Sequence, residues 1–167
     1  MIEKFFSPQS IVVIGASNKR GKVGYALAKN LQSFKGKVFF VNKKKETVFG
    51  DDVFASVLEI QEKIDLALIA VPASFVKDVL EECGVKGIKS IIIISAGFGE
   101  SGNIDAQEEL LKIAKKFDIT LLGPDCFGIV EIRESIIVCC PKMVIVNEQK
   151  IIISFFFIYY LKVINKL

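Results

Sequence analysis

The 167-residue chain contains no histidine. That absence removes imidazole chemistry from the chain: a Ser/His/Asp triad, a histidine general base, histidine-ligated zinc or haem, and a resident phosphohistidine. Any chemistry falls to Cys, Lys, carboxylates or hydroxyls. Surplus charge is lacking too, since 22 Lys+Arg against 19 Asp+Glu leave a net charge of +3, too slight to point to nucleic acid. Cysteine is scarce. Cys83 and Cys126 stand alone and Cys139 and Cys140 are adjacent, which gives neither a CxxC pair nor a zinc-ligand spacing and suits a reducing, cytosolic compartment. Met1–Pro8 offers only a short apolar pair in place of a signal-peptide core. The longest apolar run, Ile151–Leu161 with one interruption at Ser154, falls well short of the roughly 18 residues that span a bilayer, so no membrane association is expected.

What is present is alternation. From Ser10 to about Gly128, short β-branched runs alternate with amphipathic stretches of helical spacing, the pattern of βαβ units. It predicts an α/β domain with a mainly parallel five-stranded sheet and helices on both faces. The strands are expected at Ile11–Ile14, Lys37–Val41, Leu66–Val71, Ser90–Ser95 and Ile119–Leu122. Several are apolar on both sides, as a sheet covered twice requires. Helices are expected at Val23–Phe34, Ala55–Gln61, Phe75–Glu82 and Asp105–Phe117, the last with Leu110, Leu111, Ala114 and Phe117 on its apolar side. Residues 131–167 differ in character: no glycine, one proline (Pro141) and five aromatics packed into Phe155–Tyr160. The expected division is a domain over 1–130 and a divergent tail over 131–167, whose apolar run has the makings of an aggregation-prone segment.

The candidate binding residues lie where strands end. The first junction reads Ile14-Gly-Ala-Ser-Asn-Lys-Arg-Gly-Lys-Val-Gly24. Glycines at 15, 21 and 24 let backbone N–H groups approach a phosphate and aim a helix N-terminus at it, with Ser17, Lys19, Arg20 and Lys22 as further donors. The plainer alternative is that Gly15 ends a strand and Gly24 permits tight packing. The glycine spacing is not the GxGxxG of an NAD site, and the second strand ends in Val41-Asn-Lys-Lys-Lys45 where such a site needs an acid for the ribose. A phosphorylated adenosine fits these lysines better, either the 3′-phosphate of coenzyme A or the 2′-phosphate of NADP. A solvated basic loop is the ordinary alternative. Ala70-Val-Pro-Ala-Ser74 and Ser95-Ala-Gly-Phe-Gly-Glu100 would share the same crevice in a doubly wound sheet, although Pro72 and Gly97 also serve as ordinary turn residues. The last strand runs into Gly123-Pro-Asp-Cys-Phe-Gly128. With no histidine to activate it, Cys126 is expected to have a packing or backbone role.

In order, Ser7-Pro-Gln-Ser-Ile-Val-Val-Ile-Gly-Ala-Ser, Gly21-Lys-Val-Gly-Tyr, Val41-Asn plus lysine, Ile69-Ala-Val-Pro-Ala, Ile94-Ser-Ala-Gly-Phe and Gly123-Pro-x-Cys-x-Gly resemble the CoA-binding domain of NDP-forming acyl-CoA synthetases. These are the ADP-forming acetate–CoA ligases, relatives of the succinyl-CoA synthetase α-subunit. The likeness covers residues 5–130. It implies a Rossmann-like, doubly wound domain in which Gly15, Ser17, Lys19, Arg20, Gly21, Lys22 and Val23 hold CoA phosphates. Lys44, with Lys43 beside it, would meet the nucleotide end, Val71, Pro72, Ser95, Ala96 and Gly97 would frame the rest of the cofactor, and Asp125 and Cys126 would lie near the thioester or phosphate. No metal site is implied.

In the complete enzymes a flavodoxin-like domain carries the phosphohistidine and an ATP-grasp part supplies the nucleotide, so both are expected as separately encoded partners. The sequence departs from the family pattern in three places. Lys43 stands where proline is usual, Asp125 where asparagine is usual, and residues 141–157 only faintly resemble the linker and first strand of the second domain. The tail is therefore expected to be the remnant of a truncated or frameshifted frame. The resulting expectation is a CoA-binding module of an ADP-forming acyl-CoA synthetase, unable to ligate alone. An NADP(H)-binding redox or regulatory module is the alternative, and a remnant that binds neither ligand the third reading.

Overall fold

The computed structural model describes residues 3–44, 46–131 and 136–139. A short helix α1 (Glu3–Phe6) leads into β1 (Ser10–Ile14), α2 (Val23–Asn30), β2 (Lys37–Val41), β3 (Val53–Phe54), β4 (Leu66–Ile69), α3 (Ala73–Lys86), β5 (Ser90–Ile93), α4 (Ile104–Phe117) and β6 (Thr120–Leu122). An antiparallel hairpin, β7 (Gly128–Glu131) and β8 (Ile136–Cys139), follows.

Six strands pair in the order β3-β2-β1-β4-β5-β6, every neighbour parallel. This is the expected Rossmann-like, doubly wound sheet, with six strands instead of five. The added strand, β3, is two residues at the edge, pairing Val53 with Phe40 and Phe54 with Val41.

Period-two alternation sorts the strand side chains between two cores. Val12, Ile14, Ala67, Ile69, Ile91 and Ile93 face α3 and α4, meeting Val76, Leu80, Leu110 and Ile113. Their neighbours Ile11, Val13, Leu66, Leu68, Ile92 and Ile94 face the other way onto Leu27 and Ala28 of α2, Phe5 and Ile129. Burial on both faces is why these strands read as unbroken apolar runs.

Several element boundaries differ from expectation. β4 and β5 stop at Ile69 and Ile93, so residues 70–71 and 94–95 leave the sheet as loops. The helix expected at Ala55–Gln61 is only a 3-10 turn at Val57–Glu59, begun by Ser56 accepting the Leu58 N–H at 3.1 Å. α2 stops at Asn30 and tightens into a 3-10 turn at Leu31–Ser33. α3 is longer than expected, passing through Gly84 to end at Gly87, whose φ of 85° is left-handed. The buried stripe of α4 is Leu110, Ile113 and Ala114, while Leu111 is exposed.

From β1 the chain winds outward to β2 and β3, then returns across β1 to β4. That reversal opens a crevice between the ends of β1 and β4. The register sets the strand ends level, because Ile14 lies opposite both Val41 and Ile69, and Ile69 opposite Ile93.

Candidate functional site

The loops leaving the carboxyl ends of β1, β2, β4, β5 and β6 all emerge on one edge of the sheet, and together they carry every candidate residue. Gly15, Ser17, Lys19, Arg20, Gly21 and Lys22 form the first loop, and Val23 begins α2. Lys43 and Lys44 follow β2, whereas Lys45 lies outside the described residues. Val71 and Pro72 follow β4, Ser95, Ala96 and Gly97 follow β5, and Asp125 and Cys126 follow β6.

The first loop is anchored at its base and open at its tip. The N–H groups of Gly15 and Ala16 both donate to the Val41 carbonyl, at 2.9 and 3.3 Å. Gly24, in the first turn of α2, rests on this anchor: a Cβ there would collide with the Gly15 carbonyl oxygen and lie 2.8 Å from its carbon. The tip, residues 18–22, is exposed, so Lys19, Arg20 and Lys22 present their charges to solvent. Lys22 precedes α2 without a side-chain cap, and the first turn holds no acidic residue. No acidic side chain of the helix's own first turn therefore offsets its positive end.

The second loop is joined to the first by Asn42. Its Nδ2 donates to the Ala16 carbonyl at 2.7 Å, and its Oδ1 accepts the Lys44 N–H at 3.0 Å. Lys44 is exposed. Lys43 instead places its ammonium 5.0 Å from the ring centre of Phe75, in the first turn of α3, a cation–π contact that ties this loop to the β4 corner.

Ser95 links the remaining loops. Its hydroxyl donates to the Val71 carbonyl at 2.6 Å, and its own carbonyl accepts the Asp125 N–H at 3.0 Å. Beyond it, one carboxylate oxygen of Glu100 accepts the N–H groups of Gly97 and Phe98, the latter at 3.0 Å, and the Ser101 hydroxyl at 3.2 Å. Burial pushes the Glu100 carboxyl up, but these hydrogen bonds outweigh it and hold the group below its ordinary value. Asp125, at a left-handed φ of 54°, is shifted the opposite way, raised by burial and by the charge of Glu100. Cys126 is half-buried and packs against the core on the α2 side.

The edge therefore has polarity: Lys19, Arg20, Lys22 and Lys44 at one end, Glu100 and Asp125 at the other. It can take a long ligand with its anionic part over β1 and β2 and a neutral part running toward β5 and β6. Asn42 and Glu100 were not singled out in the sequence as site residues. An asparagine directly after a strand is a recognisable Asx-turn signal, whereas the partners of Glu100 become visible only once the loop has folded.

Elsewhere, an open groove of about 600 Å³ runs along the amino ends of the strands between Gln9, Lys37, Lys63 and Asp65. Of its two acids, Glu62 and Asp65, the latter is engaged, accepting from Lys4 at 3.0 Å and from the Gln9 N–H at 2.9 Å. Among the described residues no cluster of metal-ligating side chains is gathered, and no helix is long and apolar enough to cross a membrane.

Residues 9–131 match the family described as CoA binding domain. An acetate–CoA ligase [ADP-forming] of Methanocaldococcus jannaschii is 48% identical over 124 residues, covering 74% of this chain and 18% of that protein. The subunit alpha of acetate–CoA ligase [ADP-forming] II from Pyrococcus furiosus is 46% identical over 139 residues, 81% of this chain and 30% of the subunit. Among solved structures, the Ca. Korarchaeum cryptofilum dinucleotide forming acetyl-coenzyme A synthetase 1, in complex with phosphate and ADP, superposes with a TM-score of 0.80 at 33% identity, over 83% of this chain and 30% of that one. The chain thus spans between about a fifth and a third of the length of these relatives.

Proposed function

The chain belongs to the CoA-binding domain family, and from that premise we propose that its five-loop edge holds coenzyme A with the phosphates over β1 and β2 and the pantetheine arm running toward β6. The observation that carries this reading is the level register of the strand ends, which brings residues as distant in sequence as Gly15 and Asp125 onto one edge.

In this arrangement Gly15 and Ala16, held by the Val41 carbonyl, anchor the first loop, and its exposed tip over residues 18–22 faces the diphosphate beside the start of α2. Lys19, Arg20 and Lys22 neutralise it, and Lys44 meets the 3′-phosphate. Lys43 acts less directly, since its ammonium is engaged with Phe75. Val71, Pro72, Ser95, Ala96 and Gly97 line the path of the arm, leaving the thiol near Asp125 and Cys126. NADP(H) is not favoured, because the first loop lacks the GxGxxG spacing and the second strand ends in lysines instead of an acid.

The module would then supply CoA to an ADP-forming ligation in which acid, CoA and ATP become acyl-CoA, ADP and phosphate. Residues 1–130 form the binding domain in this reading, residues 131–167 a divergent tail, and the cytosol is the site of action. In this reading the phosphohistidine and ATP-binding steps fall to flavodoxin-like and ATP-grasp parts outside these 167 residues.

Thermal unfolding tests the binding. CoA at a hundred times its Kd adds about 2.7 kcal/mol, which raises Tm by roughly 5–10 °C at this size. NADPH gives no comparable rise, and 3′-dephospho-CoA gives a smaller one. No shift at millimolar CoA overturns the reading.

A further inference from the structure

The exposed tip of the first loop has few bonds of its own. The Lys19 N–H donates to Ser17 Oγ at 3.0 Å and the Lys22 N–H to the Lys19 carbonyl at 3.2 Å. What holds it from outside is a turn distant in sequence. Residues 47–51 fold tightly, closed by a reciprocal backbone pair between Val48 and Asp51 at 3.1 and 3.0 Å. Val48 is buried in the core on the α2 side, so the turn is itself anchored.

Asn18, at the tip, engages this turn with both ends of its amide. Its Oδ1 accepts the Phe49 N–H at 3.0 Å, and its Nδ2 donates to the Thr47 carbonyl. Phe49 adopts a left-handed φ of 53°, and its ring meets that of Tyr25, in the first turn of α2, with centroids 5.4 Å apart. The turn therefore holds the tip at Asn18 and the start of α2 at Tyr25, the two sides of the cradle assigned above to phosphate.

We propose that Asn18 and Phe49 are positioning residues for the diphosphate, clamping the first loop in its binding shape before the ligand arrives. The proposal rests on the CoA-binding reading and adds to it two side chains whose contacts lie within the chain. A binding loop ordered in advance loses less conformational freedom on binding, so loosening the clamp weakens affinity without removing a contact. The effect is confined to ligands that reach the diphosphate.

Three ligands and three variants test this: CoA, 3′-dephospho-CoA and pantetheine against Asn18→Ala, Phe49→Ala and the double variant. Each single variant is expected to weaken CoA and dephospho-CoA alike, by about tenfold, and to leave pantetheine unchanged. The double variant should be little worse than either, since both act through one clamp. A second measurement needs no ligand. Asn18→Ala should speed amide exchange across residues 17–22 while α3 exchanges as before. Affinity for CoA within twofold of the parent, equal losses for all three ligands, or unchanged exchange at 17–22 each overturns the clamp. Failure of the parent chain to bind CoA overturns the functional reading, and the exchange result then decides whether the clamp orders the loop at all.

Discussion

Replacing Gly24 with alanine probes the tightest contact beneath the first loop. The new Cβ would strike the Gly15 carbonyl oxygen, lie 2.8 Å from the carbonyl carbon and 3.1 Å from Ala16 Cα. Carbon atoms rest at about 3.5–4.0 Å, and the obstructing atoms are backbone held by the Val41 carbonyl, so the start of α2 must back away by on the order of 1 Å. Overpacking of this kind costs about 1–3 kcal/mol, and rigid backbone neighbours put Gly24→Ala at the upper end. Alanine returns up to about 1 kcal/mol in helix propensity. The net loss of about 2 kcal/mol lowers Tm by roughly 4–8 °C at this chain length, readable by urea or thermal unfolding. Because the helix start and the loop separate, CoA affinity should fall as well, by at least about tenfold. Gly21→Ala is the control: its φ of 84° is left-handed but nothing lies within 4 Å of a Cβ, so it costs only about 1–2 kcal/mol of backbone strain. A Gly24→Ala protein as stable as its parent, with unchanged CoA affinity, would refute the packing argument and the role given to the start of α2.

Two further outcomes follow from the carboxylates. Asp125 has its pKa raised by burial and by Glu100, so ionised Asp125 costs stability at neutral pH and the cost disappears as pH falls through the raised value. Asp125→Asn should therefore raise Tm at pH 7 and lose that advantage toward pH 4. A pH-independent difference between the two proteins would contradict the electrostatic origin. At the opposite end of the sheet burial raises Asp65, but the Gln9 N–H and Lys4 outweigh it and lower the pKa overall. The Lys4 contribution is present above the unfolded value and lost as pH falls through the lowered one. Lys4→Ala should cost about 0.5–1 kcal/mol at pH 7, in keeping with an ion pair exposed on the lysine side, and almost nothing in strong acid. Parallel pH–stability curves for the two proteins would sink this account.

Strands buried on both faces were readable as apolar runs because their polar residues, the buried Ser10 and Ser90, stand at the strand starts and the rest is apolar; Ile91–Ile93 is the clearest case. β3 was not readable, since two half-buried residues after Asp51 and Asp52 carry no periodicity. The 55–61 segment has helical spacing at Val57 and Ile60, yet Ser56 starts a single turn and Ile60 is already extended. The helix expected to end at Glu82 runs on to Lys86 through Gly84, where the ring of Phe117 fills the space a side chain would take. The candidate loops were legible because glycine and proline punctuate each strand end. The couplings among them were not: Asn18 to the 47–49 backbone, Ser95 to Val71 and Asp125, and Lys43 to Phe75 are tertiary contacts between residues 24 to 32 positions apart.

The two hydrogen bonds at Ser95 also govern the order in which the molecule becomes competent. Its hydroxyl needs β4 in place and its carbonyl needs the segment after β6, and β6 is the last strand of the sheet along the chain. These contacts span 24 and 30 residues, no more than those of the first two loops, but the segment after β6 is made last, so during synthesis it becomes available only after the loops of β1 and β2. A partly folded chain can close the cradle around β1 and β2 while the thiol end of the path is still missing. Full-length coenzyme would then hold finished molecules more tightly than unfinished ones, whereas adenosine diphosphates that stop short of the pantetheine arm would hold both alike.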